Sequence, residues 1–168
     1  MLMPDWLTWS LAKDVVLALL AAYGAILSTL NWRQARDKER RQVKVALSTA
    51  VPAYADGNLG GSFARIEVTN VGHRAVTIKT VALELPGGAR MFRGMGRPFP
   101  GIRDPDLPVS LTDGQSASFH LAYADIGEAL IASGRSSITK IAPVCEDTAG
   151  NEYRGKEWPV NPAEFSRM

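Results

Sequence analysis

The stretch VVLALLAAYGAILSTL, Val15 to Leu30, carries no charged residue and is apolar around its whole helical circumference. A surface helix of a soluble domain is polar on one side, so something must shield this segment from water. As a helix its 16 residues cover roughly 24 Å, short of a hydrocarbon core about 30 Å thick. The preceding WLTWSLAKD adds apolar residues. The helix is therefore expected to begin near Asp5, with Lys13 snorkelling and Asp14 beside it at the interface. Trp6 and Trp9 on one side and Trp32 on the other match the aromatic belts of both membrane surfaces.

Three placements compete. A single transmembrane anchor fits best. A cleaved signal peptide wants a positive n-region, but Met1–Asp14 has no excess of Lys and Arg. Its best cleavage site, Ala22-Tyr23-Gly24, falls inside the apolar run. The third placement is a buried helix, or one lying against a partner. For the anchor, orientation follows from the flanks. Arg33, Arg36, Lys38, Arg40, Arg41 and Lys44 follow the span, and only Lys13 precedes it. The positive-inside rule puts the C-terminal part in the cytoplasm of a cell-membrane protein and the short N-terminus outside. The basic segment also suits a lipid or nucleic-acid patch. Asp37 and Glu39 interrupt it, however, and its residues are good helix formers. It reads better as a topology determinant on a helix continuing out of the bilayer. Ala18, Ala21, Ala25 and Ser28 share helical spacing, with Ala22 and Gly24 nearby. Small faces let helices approach closely, so homodimerisation through the span is a candidate.

Charge is unevenly spread. Residues 33–44 hold six basic side chains against Asp37 and Glu39, for +4, whereas residues 45–168 hold twelve basic against thirteen acidic, for −1. A near-neutral main domain argues against nucleic acid as a partner. Cys145 is the one cysteine, so no intramolecular disulfide forms. That leans towards a reducing compartment.

After Gln42 the period changes from helical to two. VKVALSTAV places Val43, Val45, Leu47 and Val51 on one side. In SFARIEVTN, Ala64, Ile66 and Val68 oppose Arg65, Glu67 and Thr69. RAVTIKTVALEL has Val76 and Ile78 in one phase but Val81, Leu83 and Leu85 in the other, which predicts a bulge near Lys79-Thr80. QSASFHLAY aligns Ala117, Phe119, Leu121 and Tyr123. SSITKIAPVCED is β-rich but contains Pro143, which predicts an edge strand. DTAGN, Asp147 to Asn151, predicts a hairpin turn. ADIGEALIAS, Ala124–Ser133, predicts one short helix with Ile126, Ala129 and Leu130 inward. The class is mainly β: an N-terminal transmembrane helix and an antiparallel sandwich. The expected divisions are 1–41 for anchor and juxtamembrane helix, 42–158 for the sandwich, and 159–168 for a C-terminal tail.

The turn NVGHRAV, Asn70 to Val76, joins two alternating strands. LPVSLTDGQSASF sets an Asp113-Gly114 turn just before another. This order, over about Val43 to Trp158, resembles immunoglobulin-like and fibronectin-type sandwich domains. The layout is similar to small single-span bacterial or phage-encoded membrane proteins. The resemblance rests on turn chemistry and implies a fold; the Cys…Trp…Cys core of antibody domains is absent, and fold does not imply function.

Catalytic groups are sparse. His73 falls in a turn and His120 on the polar phase of a strand, so both are expected to be exposed. With a single thiol there is no Cys/His zinc spacing, and no metal or cofactor is expected. Gly94-Met-Gly96 has Phe99 where a third glycine would stand. Asp104/Asp106 and Glu146/Asp147 are explained by turns. One segment stands apart. Pro86 to Pro108 holds five glycines, five prolines and four arginines, with Arg90, Phe92, Arg93, Arg97, Phe99 and Arg103 interleaved. Such a loop suits a protein-contact surface, an anionic ligand or a membrane surface, and equally a crossover whose rings pad the core. The expected function is a membrane-anchored, non-enzymatic binding or assembly module with a protein partner. The alternatives are an extracytoplasmic ligand-binding domain with an inverted anchor or signal peptide and, third, an enzyme.

Overall fold

The computed structural model describes the backbone of residues 5–39 and 42–168, and the side chains of residues 13–33 and 42–168. The chain divides into two compact units, Met1–Arg40 and Arg41–Met168.

The described residues of the first unit form one helix, α1 (Asp5–Glu39), of 35 residues. Within it Lys13–Arg33, 21 residues, is long and apolar enough to cross a membrane, and none of this stretch is buried. At 1.5 Å per residue that is roughly 31 Å, close to the ~30 Å of a hydrocarbon core. Leu17, Leu19, Leu20 and Tyr23 are all exposed. The Thr29 hydroxyl donates to the Ala25 carbonyl at 2.8 Å, which satisfies it without water. The helix continues past Arg33 to Glu39, as its good helix formers predict. Of the predicted basic flank, the side chains of Arg36 and Lys38, and all of Arg40 and Arg41, lie outside the described residues.

The second unit is built from β1 (Val43–Ala50), β2 (Phe63–Asn70), β3 (Val76–Glu84), β4 (Arg90–Phe92), β5 (Val109–Leu111), β6 (Ser116–Ala122), α2 (Tyr123–Ala132), β7 (Thr139–Asp147), β8 (Glu152–Arg154), β9 (Trp158–Val160) and α3 (Pro162–Phe165). Strands β1-β2-β6 make one antiparallel sheet. The other runs β4-β3-β7-β8, with β5 also on β3 and β9 also on β7. The two sheets share one core. Ile66, Val68, Phe119 and Leu121 enter it from the first, and Val76, Ile78, Val81, Leu83, Ile141 and Cys145 from the second. Each large side chain buried in this way contributes about 1.5–3 kcal/mol of apolar transfer. The predicted change of phase in β3 is real. Its register against β7 shifts between Ile78 and Thr80, so that Val76 and Ile78, then Val81 and Leu83, all turn inward.

Asn70 ties together the two turns on which the fold resemblance rests. Buried at the end of β2, it donates through Nδ2 to the carbonyls of Arg74 (2.8 Å) and Leu111 (2.9 Å), and its Oδ1 accepts from Gly72 N–H at 3.0 Å. The Asn70 carbonyl accepts from Gly114 N–H at 3.0 Å.

Two expectations need correction. Pro143 does not put its strand at an edge: β7 lies between β3 and the β8/β9 pair. The Pro143 carbonyl accepts from Gly155 N–H at 2.8 Å. In an antiparallel ladder the nitrogen of the same residue points the same way. The missing donor therefore faces Gly155, at the break between β8 and β9, and the pairing with β3 loses nothing. The single short helix is also two. α2 is the predicted one, burying Ile126 and Leu130. α3 follows β9 and packs on α2 at Gly127, where a Cβ would collide with the backbone at Phe165 and Ser166. Asn161 caps α3 by accepting from Ala163 N–H at 3.2 Å, and the Tyr123 and Phe165 rings stack 4.2 Å apart. Residues 159–168, expected to form a tail, contain the end of β9 and α3.

Candidate functional site

The segment Pro86–Pro108 begins as a hairpin. Gly87 and Gly88 adopt φ of 86° and 83° in the β3–β4 turn, a region open to glycine at little cost. β4 then buries Met91 against the core while Arg90 and Phe92 face out. Arg90 donates to Glu152 at 2.6 Å and lies 4.0 Å from Glu84, bridging β4 to β8.

Past β4 the chain runs along the open edge of β6, which pairs only with β2 in its sheet. The backbone N–H of His120 donates to Asp104 Oδ2 at 3.0 Å, and its ring Nδ1 lies 2.7 Å from Asp104 Oδ1. One carboxylate thus holds both the edge amide and the side chain of the same strand residue. Phe99 lies on the His120 ring (centroids 4.4 Å apart) and edge-on to Phe63 (4.9 Å). Arg93 completes the cluster. Its guanidinium sits 5.7 Å from the Phe119 ring centroid and 3.9 Å from Asp104, and donates to the Asp104 carbonyl at 3.3 Å. Covering an edge in this way hides unpaired strand groups that would otherwise template aggregation.

His120 is therefore not exposed as its phase predicts. Its side chain is only 7% accessible, because the segment folds over the outer face of β6. His73 is exposed as expected and pairs with Asp113 at 2.6 Å. Arg97 pairs with Asp125 and Glu128, each at 3.2 Å, and its backbone N–H donates to Asp125 at 2.6 Å. Arg103 makes an exposed pair with Asp106 at 3.4 Å. Each arginine proposed for binding thus already faces a carboxylate. The apolar side chains left outward are Phe92, Met95 and Ile102. Among the topology residues, Arg33 and Lys44 are both exposed.

The cluster borders a cavity of about 260 Å3, lined in part by Arg97, Ile102 and His120. A His–Asp pair beside a cavity has the form of a general-base dyad. Among the described residues it has no hydroxyl or thiol in hydrogen-bonding distance to activate. The one thiol, Cys145, lies in the core, where burial and then the negative charges of Asp147 and Glu152 push its pKa up to about 12. Buried Asp147 is saturated. It accepts from Ala149 N–H (2.8 Å), Asn151 N–H (2.9 Å), Asn151 Nδ2 (2.9 Å) and the Tyr153 hydroxyl (3.2 Å). Burial raises its pKa, but these hydrogen bonds outweigh that and hold it below the usual carboxylate range. Among the described residues no group of three or more His, Cys, Asp or Glu side chains is placed to hold a metal ion. Sequence reasoning missed His120 and Asp104. A histidine on a strand next to a long arginine-rich insert was the available signal.

No protein-family model matches this chain, and no curated protein matches it either.

Proposed function

We propose that the protein is a single-span, membrane-anchored binding module that works without catalysis, with an immunoglobulin-like sandwich on the cytoplasmic side. The observation that carries this reading is the uncovered apolar stretch Lys13–Arg33, followed by a helical basic flank. Such a surface is stable in lipid rather than in water, and the excess of Arg and Lys after it favours retention of that side in the cytoplasm. The strand order supports the sandwich type. β1-β2-β6 over β3-β7-β8 corresponds to strands A, B and E over C, F and G of immunoglobulin-type domains. The binding role is supported by the way the ionisable groups of the Pro86–Pro108 segment are consumed in ion pairs, leaving apolar side chains outward.

The test uses the full chain in a bacterial host. After alkaline carbonate extraction the protein should stay in the membrane pellet; release into the supernatant would sink the anchor. A C-terminal reporter active only in the periplasm should stay silent. A strong signal from it would assign the β unit to the other side and favour an extracytoplasmic ligand-binding domain.

A further inference from the structure

β1 is an edge strand, paired only with β2. Val71 N–H donates to the Gln42 carbonyl at 2.9 Å, which sets the alternation along the strand. Residues 44, 46 and 48 turn their backbone groups to β2, and 45, 47 and 49 turn theirs outward. The nearby edge of the other sheet is broken. β8 and β9 both pair with β7, but Lys156 and Glu157 between them have no register partner there. Gly155 closes the seam at one point: a Cβ on it would stand 2.5 Å from the Val45 carbonyl oxygen and 2.6 Å from Pro143 Cγ. Beside it the seam opens into a groove of about 450 Å3, with Val45, Leu47, Trp158 and Pro159 in its lining and Lys44 and Lys156 flanking them. Both lysines are exposed, and neither has an ion-pair partner among the described residues. Glu157, by contrast, is held by Lys140 at 3.2 Å and Arg154 at 3.8 Å.

We propose that this seam receives an extended segment of another protein, added as a short strand to the free edge of β1. Its side chains alternate: apolar ones face Val45, Leu47 and Trp158, and acidic ones face Lys44 and Lys156. This assignment rests on the binding-module reading above and gives that module a site and a partner chemistry. The physical case has three parts. The outward N–H and C=O groups of Leu47 and Thr49 offer main-chain pairing, which supplies affinity in strand addition. The half-buried Trp158 opposite them offers an aromatic wall for alternate side chains. The two free lysines select the sign of the partner's charge, because opposite charges across a strand pair stabilise and like charges destabilise. A second copy of this chain is disfavoured on the same ground, since it brings two more lysines to the rim. Gly155 blocks the Val45 carbonyl, so main-chain pairing runs beyond Val45, over about four residues or roughly 13 Å, and the added strand meets Val45 and Lys44 diagonally, through its side chains at that end.

The test titrates full-length protein in lipid nanodiscs against three fluorescein-labelled octapeptides, read by fluorescence anisotropy. One alternates valine and glutamate, one alternates valine and lysine, and one is the valine–glutamate peptide with alternate backbone amides methylated. The valine–glutamate peptide should bind, and the other two should bind at least about tenfold more weakly. The double variant Lys44→Glu/Lys156→Glu should keep the wild-type melting temperature and reverse the preference between the charged peptides. Equal binding of the two charge forms, absence of valine–glutamate binding, or an unchanged preference in the double variant overturns the proposal. So does light scattering that shows a dimer which this variant dissociates, because the edge then belongs to a second copy. If the peptides fail while the protein still resists carbonate extraction and captures a partner, this site falls and the anchored-module reading stands.

Discussion

Replacing Asp104 by alanine should loosen the segment 93–108 from the edge of β6 without disturbing the core. The carboxylate makes two contacts to one residue, 2.7 Å to the His120 ring and 3.0 Å to its amide, and a third, looser one to Arg93 at 3.9 Å. A buried donor left without its partner costs about 1–3 kcal/mol. Two such groups are orphaned, and the ring is only 7% accessible, so water replaces the carboxylate poorly. Arg93 keeps Asp106 at 3.7 Å and the face of Phe119, which limits its share. The sum is about 2–4 kcal/mol, or roughly 8–16 °C in melting temperature for a unit of this size. Asp106→Ala is the internal control. Its side chain is 77% exposed, and its pairs with Arg103 at 3.4 Å and Arg93 at 3.7 Å are long and screened by water, so the change should stay within about 0.5 kcal/mol. Thermal unfolding of the full-length protein in detergent measures both. Hydrogen exchange adds a local readout, with the His120 amide losing protection in Asp104→Ala before the core amides of β2 and β7 do. Equal melting of the two variants, or a His120 amide as protected as in the wild type, would show that the carboxylate does not hold this edge.

Phe99→Ala should cost about 2–3 kcal/mol by unpacking its ring from Phe63 and His120, whereas Phe92→Ala should change stability by under about 1 kcal/mol; denaturant titration separates them. Because the folded-state pKa of Asp147 is lowered, its stabilising effect is complete above its unfolded value, about 3.9, and is lost as pH falls through the folded value. Asp147→Asn should therefore be less stable at neutral pH and show a flatter acid limb in pH-dependent melting, and an unchanged acid limb would count against the hydrogen-bonded carboxylate. Cys145, with a pKa near 12, should resist alkylation at pH 8 in the native protein and react after denaturation, as mass spectrometry would record. Cys145→Ser should fold with a modest loss of stability, since it buries a hydroxyl in place of a thiol.

The parts legible from sequence are those ruled by local periodicity. Val15–Leu30 announces an apolar helix because no face of it is polar. The alternation in FARIEVTN and SASFHLA announces strands because successive side chains in extended chain point to opposite faces. The phase change in TIKTVALEL marks its own bulge, and NVGHRAV, TDGQ and DTAGN announce turns through residues whose side chains bond their own backbone. Beyond those, the fold depended on which distant segments meet. Nothing local to Pro143 says that its missing donor falls opposite the break at Gly155, and this alone lets β7 be central. Nothing local to Gly127 says that α3 will lie against it. His120 occupies a polar phase; whether that face meets water or the aromatic ring of Phe99 is decided by a segment that lies on it only once both sheets exist. Periodicity assigns a side chain to a face because the backbone geometry repeats. It cannot assign what covers that face, because the covering contact joins residues whose separation along the chain follows no period.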